Sequence, residues 1–385
     1  MRRFLQELQS FTKKGDWVLL VLCLVTAGFG CIAIASATSA AKFDGNARYI
    51  IIQLASVCLG VLVYAVVSSI DIEAMSEHRN LLVVFNIFML LMLIPFGVDR
   101  GGNKSWLDFP LLPINIQPAE ICKISYIIIM ASVMNSHQNR ISHPVSIFHM
   151  IFHLMILVGL NMVLSRDLGV SLIFVFIFIG MAFAGGVNIG WFLLAFGLIA
   201  VAIPILWPLL GTYQQERILV LIDPTFDAMG TGARYHSKIN YLSLTGGGLT
   251  GQGLFDGNRT QGGLLFAQHT DYIFSSMGEE LGFFGCVVIM LLQFAIIARC
   301  IYVGVRCQDY IRRLVCFGAA SALIFQVMIN VGMCIGVMPV IGLTLPLISY
   351  GGSSVVTIFA MLGLVSGSYA RPESQSHERY IQPYR

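Results

Sequence analysis

The chain is short of charge. Aspartate, glutamate, lysine and arginine make up 11% of its 385 residues, less than half of the roughly 25% usual in soluble domains. It also lacks ligand patterns. Its nine cysteines stand singly inside or beside apolar runs, with neither CxxC nor His/Cys metal spacing, and read as small core residues. No basic cluster is interleaved with aromatics, which argues against nucleic acid as a partner. No GxxxxGK[ST] occurs, and the run Gly248-Leu249-Thr250-Gly251-Gln252-Gly253 neither follows a strand nor opens a βαβ unit, which excludes a dinucleotide fingerprint. Alternating segments of about ten residues, the mark of a membrane β-barrel, are missing as well.

What fills the chain is apolar. It is 57% hydrophobic with a mean hydropathy of +0.80, and the apolar residues come in runs of ~18–25, each able to cross the hydrocarbon as a helix. Lipid offers the backbone no hydrogen bonds, so such runs must be helical. Spans are expected at about 17–37, 48–70, 80–98, 117–135, 147–164, 168–185, 189–210, 271–303, 313–338 and 353–370. The fold class is therefore an all-α integral membrane protein with about ten transmembrane helices, one polytopic domain over 1–385. Arg2, Arg3, Lys13 and Lys14 precede the first apolar run, and Ala35-Ser36-Ala37 resembles a signal-peptidase site. That run exceeds the usual ~7–15-residue signal core, so it is expected to be retained. Arginine and lysine gather in alternate short segments so as to favour both termini inside, with cytoplasmic tails 1–16 and 371–385. One large extracytoplasmic loop, about 211–270, is punctuated by glycine and too long for a passive connection.

Ionisable residues that border spans are functional candidates by default, and here they cluster on the outer side. Glu120 and Lys123 open the fourth span on one helical face. Arg166 and Asp167 lie at the junction of the fifth and sixth. His269, Asp271, Glu279 and Glu280 start the eighth, where about 12 Å of helix separates Asp271 from Glu279. Acids from three spans at one level suggest a water-filled cleft, in which burial and the like charges of the nearby Glu279 and Glu280 would raise the pKa of Asp271 and suit it to act as a general base. Gln326 and Asn330, deep in the ninth span, are equally explained by helix–helix hydrogen bonds.

Four motifs carry a resemblance. Gln117-Pro118-Ala119-Glu120-Ile-Cys-Lys123 looks like QPSE-x-x-K, and Gly246-Gly247-Gly248-Leu-Thr-Gly251-Gln-Gly253 looks like GSGG-x-x-GKG. His269-Thr270-Asp271-Tyr272-Ile-Phe274 with Gly278-Glu279-Glu280-Leu-Gly282 looks like HTDFIF…GEELG. The stretch from Asn330 through Pro339, Gly342 and Pro346 to Ser349-Tyr350-Gly351-Gly352-Ser353-Ser354 completes the set. In order and spacing these resemble the SEDS family, the RodA/FtsW/SpoVE-type proteins of bacterial elongation, division and sporulation. The resemblance covers essentially the whole chain.

It implies a peptidoglycan glycosyltransferase of the bacterial cytoplasmic membrane that polymerises lipid II beside a class B penicillin-binding protein and other cell-wall synthesis machinery. It places the essential aspartate at Asp271 and the loop tryptophan at Trp106, and it implies a divalent cation, Mg or Mn, with no ligand set legible. Lys104, Lys123, Arg217, Arg234, Lys238 and Arg259 are candidates to neutralise the leaving pyrophosphate, and amides of the glycine-rich loop could add an anion nest. Glu120, Asp167, His269, Glu279, Glu280, Ser349 and Ser353 complete the candidate substrate site. A flippase for the same lipid and a non-enzymatic scaffold are the alternatives. Three departures stand out: Ser105 where many relatives have arginine before the tryptophan, Ser165-Arg166 in place of Gln-Pro, and Tyr272 in place of phenylalanine.

Overall fold

The structure is a computed structural model, which describes residues 15–40, 43, 47–100, 103–108, 115–209 and 235–371, with isolated positions between 215 and 227. Among the described residues eight helices are long and apolar enough to cross a membrane, and two shorter apolar helices, Leu168–Ala184 and Ile189–Ile205, bring the spans to ten. In chain order they are α1 (Trp17–Ala37), α2 (Arg48–Ser68), the short α3 (Ile72–Glu77), and α4 (Arg79–Leu91, with a last turn over Leu93–Phe96). There follow α5 (Pro118–Ser136), α6 (Pro144–Leu164), α7 (Leu168–Ala184) and α8 (Ile189–Leu206). The outer loop contributes α9 (Tyr235–Gly246) and α10 (Asn258–Gln261), and the chain closes with α11 (Ile273–Arg306), α12 (Tyr310–Cys334) and α13 (Gly352–Ala370).

Local chemistry sets several ends that hydropathy places elsewhere. The ninth span starts earlier than expected because Asp309 caps α12, accepting from the Arg312 amide at 2.8 Å. It ends at Cys334 rather than 338, because Gly336 turns left-handed at φ 76 and Pro339 follows. Asp167 likewise caps α7, accepting from the Val170 amide at 3.1 Å.

The middle of the bundle is α12, which packs on α11, α7, α5 and α13. α5, α12 and α13 are mostly buried, whereas α4 and α6 turn most of their surface to lipid. The tightest seam joins α2 to α13. A Cβ on Gly363 would lie 2.8 Å from the Tyr64 carbonyl oxygen, and one on Gly367 2.7 Å from that of Ser68. Small residues four apart let helix backbones touch where no hydrophobic effect drives association.

The cytoplasmic ends are clamped by ion pairs. Arg299 of α11 holds the buried Asp16 through two 2.9 Å hydrogen bonds, with Tyr302 and Tyr369 rings each 5.0 Å from its guanidinium. Arg312, fully buried, reaches Glu73 at 3.2 Å and Asp71 at 3.5 Å. Fixing these ends leaves the outer ends of α5, α7, α11 and α12 to be held apart by loops.

Candidate active site

Between those outer ends lies a cavity of about 790 Å³. Trp106, Glu120, Asp167, His269, Asp271 and Gln326 are among its walls. Each arrives by a different route. Trp106 sits on a short antiparallel hairpin, β1 (Gly97–Arg100) with β2 (Asn103–Leu107), directly across from Val98. The hairpin is pinned to the α6–α7 junction by the Lys104 amide, which donates to the Ser165 carbonyl at 3.2 Å.

Asp271 lies two residues ahead of α11, just before its N-cap Tyr272. Asn330 of α12 tethers it by donating Nδ2 to the Asp271 carbonyl (2.8 Å) and to the Leu343 carbonyl (2.7 Å). The Leu343 strap thereby lies against the carboxylate, and a Cβ on Gly342 would lie 3.4 Å from Asp271 Oδ2. Burial pushes the Asp271 pKa up to about 6, with a hydrogen bond from Thr270 opposing and the negative charge of Asp167 adding to the rise. The like charge beside Asp271 is thus Asp167, more than a hundred residues away in sequence. Asp167 is itself raised by burial, against hydrogen bonds from the Val170 amide and Ser105. Ser105 Oγ donates to its Oδ2 at 3.2 Å and Gln117 Nε2 at 3.3 Å.

Glu279 and Glu280, expected beside Asp271, are elsewhere. Both are fully buried under the glycine-rich loop. Glu279 accepts from the Arg259 and Thr260 amides (3.0 and 2.8 Å) and the Thr260 hydroxyl (2.8 Å), with Arg259 Nη1 at 3.5 Å. Glu280 accepts from Ser36 Oγ and from Gln261 Nε2 (2.9 Å). The expected anion nest in this loop is corrected too. The amides of Gln252 and Gly253 donate to the carbonyls of Glu279 and Glu280, both at 3.0 Å. α11 kinks at Gly282 (φ 66, ψ −163) to meet them. A Cβ on Gly247 or Gly251 would fall within 2.0 Å of a carbonyl oxygen of α11, so these glycines allow backbone contact rather than anion binding.

The other candidates fall on both sides of the cavity wall. Glu120 and Lys123 form a buried ion pair at 2.7 Å, and Thr357 Oγ1 donates to Glu120 at 3.1 Å. Glu120 lines the cavity and Lys123 does not. Lys104 Nζ donates to the Ile94 carbonyl at 3.0 Å, while Lys238 lies on α9, whose His236 reaches the cavity instead. His269 packs edge-on against Phe43 and Tyr49, and its carbonyl accepts from the Tyr350 amide at 2.8 Å. Ser349 donates to the Thr270 carbonyl at 2.6 Å and so braces the turn that leads into Asp271. Ser353 is buried away from the cavity, which the neighbouring Gly352 and Ser354 line. Arg217 and Arg234 lie outside the described residues.

Sequence reasoning missed the tether by Asn330 and the bracing of Asp167 by Ser105 and Gln117. The signal available was the polar pair Gln326 and Asn330, one turn apart in the otherwise apolar outer half of α12. No lysine or arginine is among the described residues lining the cavity, and no group of three or more metal-ligating side chains occurs among the described residues. Asp167 and Asp271 nevertheless offer hard oxygen donors facing one space. Mg²⁺ is commonly held by one or two carboxylates, with water and substrate phosphates completing its shell.

The comparisons with known proteins agree with this architecture. The FtsW/RodA/SpoVE model, described as a cell cycle protein, matches residues 16–371. The chain is 30% identical over 318 residues to the peptidoglycan glycosyltransferase MrdB of Escherichia coli K12, covering 81% of this chain and 83% of that one. Among solved structures, a chain from a peptidoglycan synthase complex that coordinates polymerization and crosslinking superposes with a TM-score of 0.76 at 28% identity, over 95% of this chain and 99% of that one. The rod shape determining protein RodA of Thermus thermophilus gives 0.67 at 26% identity, over 92% and 96%. The chain belongs to the FtsW/RodA/SpoVE family of multi-pass bacterial cytoplasmic membrane proteins.

Proposed function

We propose that the protein polymerises lipid II, a disaccharide-pentapeptide on undecaprenyl pyrophosphate, into glycan strands at the outer face of the membrane. The observation that carries this reading is Asp271, a carboxylate with a pKa of about 6 on the wall of a large cavity. Chain growth requires an acceptor sugar hydroxyl to lose its proton as its oxygen bonds to the donor's anomeric carbon, while the bond to the carrier pyrophosphate breaks. A base is most effective when its pKa lies near the working pH. Asp271 accepts the hydroxyl proton, and the Asn330 tether fixes where it does so. Asp167 is the residue to hold a divalent cation, Mg or Mn, with substrate oxygens and water. Such an ion would supply the positive charge for the leaving pyrophosphate that the described wall lacks.

A class B penicillin-binding protein is the proposed partner. The resemblance to a chain from a complex that couples polymerization to crosslinking supports that pairing. The test is a gel of products from purified protein, partner, fluorescent lipid II and a divalent cation, with Asp271→Asn alongside. A ladder from wild type and none from the folded variant is expected. Equal ladders would remove Asp271 from the chemistry, and no ladder from either, with sound partner and lipid, would move the reading to lipid transport or scaffolding.

A further inference from the structure

The cytoplasmic end of the bundle holds a group of basic side chains that neither the ion-pair clamps nor the cavity uses. His137 is the C-cap residue of α5, and its Nε2 lies 3.2 Å from Nδ1 of His149 on α6. His149 and His153 stand one turn apart on α6 with ring centroids 5.1 Å apart. Arg79, which opens α4, donates from Nη1 to Ser136 Oγ of α5 at 2.9 Å. All four basic side chains are partly exposed. Three helices thus deliver them to one seam.

The dipole of α5 accounts for a histidine at its C-terminus, and so for His137. It does not account for His149 and His153. They sit in the first three turns of a span that turns most of its surface to lipid, and the adjacent Phe148 and Phe152 are exposed. Ionisable residues within a span are functional candidates by default. The seam also lacks the acids that the clamps have. The charges acting on His149 are those of His137 and Arg79, and the charges acting on His153 are those of His149 and Arg79. α7, which also packs on α6, carries no titratable residue. No carboxylate pairs with Arg79 among the described residues.

Basic donors without an acid suit an anion, and their place selects which anion. Phospholipid phosphates lie at the ends of spans. Inward from His153 the seam is lined chiefly by Val83, Ile129, Ile156 and Leu157, apolar groups against which an acyl chain can lie. A zwitterionic headgroup brings an ammonium that finds no carboxylate here, whereas a phosphodiester of an uncharged alcohol brings only negative charge. Guanidinium and imidazole N–H groups match phosphate oxygens.

We infer that the inner ends of α4, α5 and α6 bind the phosphate of an anionic phospholipid from the cytoplasmic leaflet. Arg79 and His149 are its donors, with His137 and His153 flanking His149. The site lies at the opposite end of the bundle from Asp271 and does not depend on the polymerase reading.

The test supplies phosphatidylglycerol and phosphatidylethanolamine at equal concentration to the full-length protein in neutral detergent and counts retained lipids by native mass spectrometry. At pH 6 wild type should favour phosphatidylglycerol by about tenfold, the yield of roughly one charge-assisted hydrogen bond. At pH 8, where imidazoles are neutral, the preference should shrink. Arg79→Gln and His149→Gln should each cut it several-fold, and the double variant should abolish it. Arg306→Gln, which alters an exposed arginine at the same end but outside the seam, should keep it. A preference that persists in the double variant overturns the inference. Equal loss in Arg306→Gln also overturns it, reducing the effect to diffuse surface charge. A wild-type preference that is absent, or identical at pH 6 and pH 8, does the same without any variant having to fold. Inorganic phosphate that displaces the lipid as well as phosphatidylglycerol does would make the ligand a free anion and overturn the lipid assignment.

Discussion

The two ends of the bundle treat charge in opposite ways. At the cytoplasmic end every described acid in the clamp has a cation: Asp16 has Arg299, and Asp71 and Glu73 share Arg312. At the outer end Glu120 has Lys123 and Glu279 has Arg259 at 3.5 Å, but the two aspartates on the cavity wall have none within salt-bridge distance among the described residues. Asp167 receives neutral donors from Ser105, Gln117 and a helix amide, and Asp271 is stabilised chiefly by Thr270. Matched charges fix helices in register. A buried carboxylate without a cation has its pKa raised, to about 6 at Asp271, which costs stability and is what a base needs.

The sharpest way to break this contrast is to neutralise the outer acid. Asp271→Asn should lower polymerisation by about 10²–10⁴-fold, the usual contribution of general base catalysis, while melting no lower than wild type in detergent. Next in size is the inner clamp. Arg299→Ala leaves Asp16 buried without its cation and should cost about 3–5 kcal/mol, seen as a lower midpoint of thermal unfolding.

Titration compares the ends more finely. Activity should rise with pH through a midpoint of about 6 as Asp271 loses its proton. In metal-free protein the Asp271 carboxyl, followed directly by its infrared band, should titrate lower in Asp167→Asn than in wild type, because the neighbouring negative charge is gone. Stability carries the opposite sign. A carboxyl whose folded pKa lies above its unfolded value favours folding most at pH below the unfolded value, so this contribution fades as pH rises from about 3.8 to about 6. Asp271→Asn should flatten that part of the stability–pH curve. The smallest effect is expected from Ser105→Ala, which removes one of several donors to Asp167. A loss of roughly 1 kcal/mol there would appear as a several-fold drop in polymerisation rate.

Ten spans were legible because hydropathy and length suffice to find a membrane helix, and the errors sit where a capping Asp309 or a left-handed Gly336 overrides hydropathy. Asp271, Asp167, Glu120, His269 and Trp106 were readable as a group and do line one cavity. Spacing along a helix gives depth but not direction, which is why Glu279 and Glu280, at a plausible depth, were placed with Asp271. Their direction is set by the kink at Gly282 and by a loop whose glycines were read as an anion nest. The facing of Asp167 and Asp271 is a tertiary fact carried by α7 and α12, with no trace in local sequence. Ser105 shows the converse. A departure visible in sequence became interpretable only once Asp167 was seen to be its partner.

The interlock of the glycine-rich loop with α11 has a mechanical consequence. α11 runs for 34 residues, about 50 Å, gripped outside by the loop that hydrogen-bonds its Glu279 and Glu280 carbonyls and inside by Asp16 on Arg299. Such a helix is a lever held at both ends, with its hinge at Gly282 near the outer grip. A displacement of the loop must either flex that hinge or tilt the whole lever, and Asp271, two residues ahead of the helix, rides on its short arm.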